Sequence, residues 1–170
     1  MIIWLVGMSG SGKTAIGRAL YKKLKPESRH LVFIDGDDFR EIFRNDADHT
    51  IEGRRLNAAR ISHFCKYLDG QGIHVIGAVL SIFPEWQIWN RENFKSYHQV
   101  FLDISLDRLI ERDTKNLYSA GLMNELKNVV GLDIPFPTPV NNDQIIDEVM
   151  QAEGIDACVT SILSRLPRFD

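Results

Sequence analysis

The feature that most constrains the fold is a glycine-rich stretch at residues 7–14, whose sequence GMSGSGKT fits the pattern G-x-x-x-x-G-K-[ST]. The apolar run Ile2–Val6 precedes it and predicts a buried strand. After it, Ile16, Leu20 and Leu24 recur at helical spacing. A strand, a glycine turn and a helix in this order form a loop whose backbone N–H groups surround phosphate oxygens. The motif therefore predicts phosphate binding at one edge of an α/β sheet.

Strand-like and helix-like segments alternate along the rest of the chain, which favours a parallel sheet with helices on both faces. We predict an α/β three-layer sandwich built on a five-stranded parallel sheet, in a single domain of residues 1–170. The four further predicted strands are Leu31–Ile34, Ile73–Val79, Val100–Ile104 and Gln144–Ile146.

The composition of the chain restricts the kinds of partner that it is expected to bind. The net charge of -3 gives no positive field that would gather nucleic acid or an anionic membrane, so local basic residues must hold any anionic ligand. The apolar stretch Ile73–Phe83 is too short to cross a bilayer. Cys65 and Cys158 lie in apolar helical patterns and are predicted as free thiols, although a single disulfide stays open. We predict a cytoplasmic protein without nucleic-acid or membrane partners, with a homodimer as one candidate state.

The motif assigns chemical roles to two of its side chains. In this pattern Lys13 reaches the β- and γ-phosphates of a nucleotide, and the hydroxyl of Thr14 ligates Mg²⁺. ATP and Mg²⁺ are therefore the predicted cofactors. The loop residues expected to bind ATP are Gly7, Ser9, Gly10, Ser11, Gly12, Lys13 and Thr14.

The loop alone does not separate kinases from GTPases and motor ATPases. The sequence has no N-K-x-D element for guanine, and its D-x-x-G match at residues 69–72 precedes a predicted strand instead of following one. A motor ATPase is usually larger. A small-molecule kinase is thus the predicted class. The alternative is a nucleotide sensor without catalysis, which we expect to have lost Lys13, Thr14 or Asp37, and all three are present.

Three aspartates, Asp35, Asp37 and Asp38, follow the second predicted strand. The carboxyl ends of strands in an open parallel sheet face the ligand crevice, so we expect these side chains near the glycine-rich loop. One of them could accept the proton of an acceptor hydroxyl while another holds a water bound to Mg²⁺. A helix N-terminus would explain one aspartate but not three. The cluster is therefore predicted to be catalytic.

With these stretches in view, the chain resembles the adenylyl-sulfate kinase family over essentially its whole length from Ile2. The resemblance implies a P-loop kinase that phosphorylates the 3'-hydroxyl of a nucleotide. The matching positions are Trp4–Thr14, Asp35–Arg40, Arg54, Asn57, Arg60, Glu111–Asp113, Lys115, Leu117, Tyr118, Glu125, Lys127, Gly131, Asp133, Pro135 and Pro139.

The resemblance also implies roles for individual positions. Asp37 corresponds to the proposed catalytic carboxylate and Asp35 to its partner near the metal, with Lys13 completing the catalytic set. Arg112 corresponds to the arginine that lies against the adenine of ATP. Lys115 corresponds to a residue that reaches the acceptor when the lid is closed.

Further residues are expected to bind the acceptor nucleotide together with Asp37 and Lys115. They are Arg40, Arg54, Asn57, Ser81 and His49. Arg54 and Asn57 are three residues apart and share a helix face, and an arginine fork suits a phosphate or sulfate group. Ser81 falls at the family position once proposed to carry a phosphoserine intermediate. We favour direct transfer, with Ser81 as a serine that lines the pocket.

A long segment, residues 114–140, has irregular composition and ends in Pro135, Pro137 and Pro139. Such a stretch is usually a functional loop. Together with the resemblance, it predicts a mobile lid over about residues 112–133.

The chain departs from the family on the acceptor side. His49 and Val129 stand where the family has two aromatic residues that sandwich the acceptor's adenine, and Val130 replaces the threonine that follows. The sequence at residues 81–84 is SIFP, where the family has SPYR. Stacking a base on an aromatic ring contributes about 1–3 kcal/mol, so we expect weaker adenine binding unless His49 or another ring replaces the lost contacts.

Two acceptors remain open on these residues. One is adenylyl sulfate, and the other is a different nucleotide 5'-anhydride. The family includes a branch that acts on cytidine diphosphoramidate, an activated precursor for capsular polysaccharide decoration. A smaller pyrimidine needs less stacking surface, which slightly favours the altered acceptor. Trp86 and Trp89 are expected either to enter the pocket or, by preference, to pack in the core.

Overall fold

The computed structural model describes residues 1–113 and 115–167, which form five strands and eight helices. The strands are β1 (Ile2–Val6), β2 (Leu31–Asp35), β3 (His74–Val79), β4 (Tyr97–Asp103) and β5 (Gln144–Asp147). The helices are α1 (Lys13–Leu24), α2 (Gly36–Ile42), α3 (Ile51–Gly70), α4 (Pro84–Asn93), α5 (Leu106–Arg112), α6 (Leu117–Leu122), α7 (Glu148–Ala152) and α8 (Ile155–Arg165).

The five strands form one sheet in the order β2-β3-β1-β4-β5, and every neighbouring pair is parallel. This confirms the predicted α/β fold class. Because the strands are parallel, their carboxyl ends meet at one edge, where the glycine-rich loop leaves β1. That edge is where ligands bind in sheets of this kind.

Alternating side chains of β1 supply both faces of the sheet, as the pleat of a strand requires. Ile3 and Leu5 join the core cluster that α1 and α8 cover. Ile2, Trp4 and Val6 join the opposite cluster, which α3 covers with Ile61, Cys65 and Leu68. The sheet is therefore buried on both faces, which explains why β1 reads as one continuous apolar run.

The two cysteines are free and buried on opposite sides of the sheet, Cys65 in one core cluster and Cys158 in the other. The prediction of separate thiols is thus confirmed. In the described ranges, no helix is long and apolar enough to cross a lipid bilayer.

The prediction of an irregular segment after α5 is wrong in part. The segment contains helix α6 and a short parallel bridge between Val130 and Ile134. The helix has six residues and no apolar periodicity that a sequence pattern could reveal. Its first N–H groups are satisfied by Asp113, whose carboxylate accepts from the backbone of Leu117 at 2.8 Å and of Ser119 at 2.8 Å. The cap therefore comes from outside the helix.

Candidate active site

The carboxyl edge of the sheet opens into a cavity of about 730 Å³ that gathers most of the predicted site residues. One part, which we call the loop side, is lined by Ser9, Gly10, Gly12, Lys13, Thr14 and Asp35. The other part, which we call the distal side, is lined by His49, Arg54, Asn57, residues 81–83 and Val130. Asp37, Arg40 and Lys115 also face the cavity.

The glycine-rich loop has the backbone that a phosphate cradle needs. Gly10 and Gly12 adopt φ angles of 79° and 93°, in the left-handed region that favours glycine. Gly7 and Ser11 belong to the predicted ATP-binding set but do not line the cavity. A side chain at Gly7 would lie 2.9 Å from the carbonyl oxygen of Leu102, so this glycine permits close packing behind the loop.

Lys13, Thr14 and Asp35 form a polar group at the start of α1. Thr14 Oγ1 donates to Asp35 Oδ2 at 2.6 Å, and Lys13 Nζ donates to the carbonyl oxygen of Met8 at 2.6 Å. Loss of hydration lowers the pKa of Lys13 to about 8, and the charges of Asp35 and Asp37 partly oppose this effect. A poorly hydrated ammonium group that faces a cavity favours an anionic ligand, because the ligand would restore the lost charge stabilisation.

The predicted catalytic aspartates occupy different positions around α2. Asp35 ends β2 and caps α2 by accepting from the backbone N–H of Asp37 at 2.9 Å. Asp37 is exposed toward the cavity, where its Oδ2 lies 3.4 Å from Lys115 Nζ. Asp38 points elsewhere and pairs with Arg18 at 3.4 Å. The structure thus joins Asp35 and Asp37 to the cavity and separates Asp38 from it.

The predicted acceptor residues Arg40, Arg54 and Asn57 lie together on the cavity wall, but much of their hydrogen bonding is internal. Arg40 Nη1 donates to the carbonyl oxygen of Ala47 and, at 2.8 Å, to that of Asp48. Arg54 donates to the carbonyl oxygens of His49 and Asn128, both at 2.8 Å.

Two atoms of this group stay unpaired. Within the described part of the chain, Arg40 Nε and Asn57 Oδ1 are buried without a hydrogen-bond partner. A buried polar atom without a partner is costly, so this wall is suited to a polar ligand.

The distal side holds few rings for stacking. His49 and Phe83 are the ring-bearing residues of the cavity lining in the described ranges. Loss of hydration, reinforced by the charges of Arg40 and Arg54 and partly opposed by those of Asp37 and Asp48, lowers the pKa of His49 and so favours its neutral imidazole. One face of Phe83 is covered by the guanidinium of Arg55, whose Cζ lies 4.3 Å from the ring centroid.

Phe83 is a pocket residue that sequence reasoning did not single out, although it lies in the stretch where the chain departs from the family.

The structure corrects the placement of Val129. Val129 is 1% exposed and packs against Ile104, Leu109 and Tyr118, whereas Val130, which forms a bridge with Ile134, lines the cavity. The side chain of residue 129 is therefore not part of the cavity wall.

Trp86 and Trp89 do not line the cavity. They pack against each other and against His63, as the preferred core interpretation expected.

Arg112 lies outside the main cavity, beside Ser9 and Gly10 at a small secondary pocket. Its Nη1 donates to Gln151 Oε1 at 3.2 Å, and Gln151 Nε2 donates to the carbonyl oxygen of Ser11 at 2.7 Å. Gln151, on α7, therefore ties Arg112 to the glycine-rich loop. No sequence pattern pointed to this residue, which lies 140 positions from its partner in the loop.

A phosphate-binding loop, an adjacent pair of aspartates and a cavity that extends from them to a second polar wall, all on a five-stranded parallel sheet, define a P-loop kinase that transfers phosphate to a hydroxyl acceptor. Residues 1–147 match the family described as adenylylsulphate kinase, and the chain belongs to that family. Membership implies that it binds ATP.

Individual relatives divide into two kinds by name. A cytidine diphosphoramidate kinase of Campylobacter jejuni is 44% identical over 138 residues, which cover 81% of this chain and 81% of the relative. An adenylyl-sulfate kinase of Pseudomonas aeruginosa is 33% identical over 167 residues, covering 97% and 84%. Among solved structures, the Mycobacterium tuberculosis APS kinase CysC in complex with AMPPNP and APS is 25% identical with a TM-score of 0.86, covering 96% and 95%.

Proposed function

We propose that this kinase uses Mg-ATP to phosphorylate the 3'-hydroxyl of a pyrimidine nucleotide 5'-anhydride, with cytidine diphosphoramidate as the favoured acceptor. The observation that carries the proposal is the contrast between the two sides of the cavity. The loop side keeps every group of the phosphate-binding motif, whereas the rings that the described residues of the distal side offer to a base are His49 and the partly covered Phe83.

On the loop side, backbone N–H groups of residues 9–14 and the ammonium of Lys13 would hold the ATP phosphates. Mg²⁺ fits the oxygen atoms present there, the hydroxyl of Thr14 and the carboxylate of Asp35. Residues 1–113 and 115–167 contain no group of three or more His, Cys, Asp or Glu side chains that could hold a metal ion. Mg²⁺ suits such a site because it is usually held by one or two protein oxygens, substrate phosphates and waters. When bound, it would neutralise charge on the transferred phosphoryl group.

Asp37 would act as the proton acceptor for the 3'-hydroxyl. The hydroxyl proton passes to the Asp37 carboxylate while the oxygen attacks the γ-phosphorus, and the bond from that phosphorus to the β-phosphate oxygen breaks to release ADP. Lys13 stabilises the negative charge on the phosphoryl oxygens. Arg40, Arg54 and Asn57, which also line the cavity, would hold the anionic part of the acceptor.

The shape of the distal side favours a pyrimidine. Val130 and His49 occupy the lining, and Arg55 already covers one face of Phe83. A purine sandwiched between two rings would lose about 1–3 kcal/mol for each missing stack, whereas a smaller pyrimidine depends less on them. The 44% identity to a cytidine diphosphoramidate kinase supports the same acceptor.

The second candidate acceptor is adenylyl sulfate, which would make the chain an enzyme of sulfate activation. It is favoured by the match of residues 1–147 to the adenylylsulphate kinase family and by the 33% identity to an adenylyl-sulfate kinase. Binding of adenylyl sulfate would require that His49 and Phe83 together supply enough stacking surface for its adenine.

An acceptor screen tests the proposal. ADP release is measured with cytidine diphosphoramidate, adenylyl sulfate and a uridine 5'-anhydride at matched concentrations, with the Lys13→Ala variant as the blank. We expect kcat/KM above about 10⁴ M⁻¹s⁻¹ for the cytidine compound, the low end for a natural substrate. Preference for adenylyl sulfate would establish the second candidate, and ATP consumption that no acceptor accelerates would favour the nucleotide sensor.

The proposal includes a lid over about residues 112–133 that closes when both nucleotides are bound. Lys115 of this segment pairs with Asp37, and Arg54 donates to the carbonyl oxygen of Asn128 in the same segment. A ligand that binds beside these residues could therefore hold the segment closed. Closure would exclude water and limit ATP hydrolysis. Protease cleavage within the segment should slow when both nucleotides are present, and equal cleavage with and without them would argue against a lid.

We also propose a cytoplasmic location, where ATP is available, and a homodimer. Light scattering of the purified protein tests the oligomeric state.

A further inference from the structure

The turn from β3 into α4 forms one wall of the distal side. Residues 80–83 all line the cavity, and Ser81 is 8% exposed with a φ angle of 56°. A residue other than glycine rarely adopts this left-handed conformation, and it persists only where the surrounding structure holds it. The shape of this wall therefore depends on whatever fixes Ser81.

One buried amide fixes the backbone of Ser81. Gln87, in the first turn of α4, is 5% exposed, and its Nε2 donates to the carbonyl oxygen of Ser81 at 2.8 Å. The indole Nε1 of Trp4 lies 3.4 Å from Ser81 Oγ, so the side chain has a second, longer contact. Gln87 does not itself line the cavity.

The orientation of the Gln87 amide is set by a second glutamine. Gln99 on β4 is 1% exposed, and its Oε1 accepts from the Tyr97 hydroxyl at 2.8 Å. Its Nε2 is therefore turned toward Asn142 Oδ1, at 2.8 Å, and Gln87 Oε1, at 3.4 Å. With its oxygen facing Gln99, Gln87 presents its nitrogen to Ser81. A chain of hydrogen bonds thus runs from β4 to the cavity wall.

We infer that Gln87 is a positioning residue for the acceptor nucleotide. By holding Ser81 in its left-handed conformation, it fixes where Ile82 and Phe83 stand on the distal side. The inference rests on the proposed function in placing the acceptor there, but it does not depend on which base the acceptor carries. The loop side shares no hydrogen bond with this chain of amides in the described ranges, so ATP binding should not depend on Gln87.

Gln87→Met tests the inference because methionine has a similar length and cannot hydrogen-bond to Ser81. We expect KM for the acceptor to rise about tenfold, the scale of one lost buried hydrogen bond, while KM for ATP stays unchanged. The matched control is Gln144→Met. Gln144 is a second buried glutamine, 3% exposed, whose Nε2 donates to Ser161 Oγ at 2.8 Å away from the cavity. This control should lower the melting temperature similarly and leave both KM values unchanged.

Gln87→Glu gives a second readout that a general loss of stability would not move. A carboxylate cannot donate to the carbonyl oxygen of Ser81, whereas the protonated acid can, and burial favours the protonated form. The ratio of acceptor KM in this variant to that in the unmodified enzyme should therefore fall as the pH is lowered from 8 to 6. A ratio independent of pH would contradict the role of the hydrogen bond.

Amide hydrogen exchange tests the positioning role of Gln87 without a measurement of turnover. In the protein without ligands, Gln87→Met should speed amide exchange in residues 81–87 but not in residues 9–14, and Gln144→Met should affect neither segment. If cytidine diphosphoramidate is not a substrate, the kinetic comparison is made with the acceptor that the screen identifies. Parallel loss of ATP and acceptor binding, or unchanged exchange at residues 81–87, would overturn the inference.

Discussion

The loop side and the distal side of the cavity are built in different ways. The loop side is formed by one short stretch, residues 9–10 and 12–14, in which Gly10 and Gly12 have left-handed φ angles, with Asp35 beside it. The distal side is assembled from separate parts of the chain, with His49 before α3, Arg54 and Asn57 on α3, Phe83 in the turn into α4, and Val130. One side thus depends on backbone geometry, and the other depends on separate side chains.

This difference explains how a family can keep its reaction while its acceptor changes. A backbone cradle tolerates few substitutions, because positions such as Gly10 and Gly12 need φ angles that other residues rarely adopt. Side chains on the distal side can be exchanged singly without disturbing the donor phosphates. The comparison predicts that changes on the loop side abolish the reaction, whereas changes on the distal side redirect it.

The largest expected effect is that of Lys13→Ala on the loop side. Removing the ammonium group that stabilises the transferred phosphoryl should lower kcat by about 10³-fold or more, since charge stabilisation dominates phosphoryl transfer. Steady-state turnover with the best acceptor measures this. The control is Lys23→Ala, an exposed lysine on the same helix, which should leave turnover unchanged. Near-native turnover in Lys13→Ala would mean that the loop does not hold the donor.

A smaller loss is expected from Asp37→Asn, at the boundary between the two sides. If Asp37 accepts the hydroxyl proton, kcat should fall by about 10²–10⁴-fold with little change in acceptor KM. Asp38→Asn is the matched control. The carboxylate of Asp38 is next to Asp37 in sequence but is exposed and pairs with Arg18, so its loss should leave kcat unchanged.

The complementary variant is Arg54→Ala, which should mainly raise acceptor KM. If the two phenotypes were exchanged, the roles assigned to Asp37 and Arg54 would be incorrect.

The next effect concerns Gln151, which joins Arg112 to the glycine-rich loop. Gln151→Ala should raise KM for ATP about tenfold by releasing Arg112 and leave acceptor KM unchanged, the opposite of the pattern expected for Gln87→Met. Gln151→Glu keeps an acceptor for Arg112 but loses the donor to Ser11, so it separates the two contacts. Gln71→Ala, at the exposed end of α3, serves as control. An effect of Gln151→Ala confined to the acceptor would break the division between the sides.

The smallest effect is expected from His49→Phe on the distal side. A phenyl ring stacks on adenine more strongly than the neutral imidazole, so kcat/KM for adenylyl sulfate should rise by up to about tenfold, within the 1–3 kcal/mol of one base stack. Activity toward cytidine diphosphoramidate should stay constant or fall. The control is His63→Phe, an exposed histidine that packs on Trp86 outside the cavity. A loss for adenylyl sulfate would show that His49 does not face the base.

The sequence by itself determined the parallel sheet and the glycine-rich loop. The strands β1 to β4 each contain a short apolar run, and the loop is one contiguous motif whose function needs only local backbone geometry. Asp35 and Asp37 could be placed near the loop for the same reason, since the ends of parallel strands share one edge. Residues 81–83, in the stretch where the chain departs from the family, also line the cavity.

Only the tertiary structure decided which side chains line the cavity. It buried Val129 among Ile104, Leu109 and Tyr118, placed Val130 on the cavity wall, capped α6 with Asp113, and brought Gln151 to Ser11 across 140 positions. It also brought Gln87 within hydrogen-bond distance of Ser81, whose positive φ angle no sequence pattern predicts. These contacts join polar side chains that are isolated in sequence. Their partners are set by the packing of the whole chain, whereas the glycine-rich loop carries its geometry within its own eight residues.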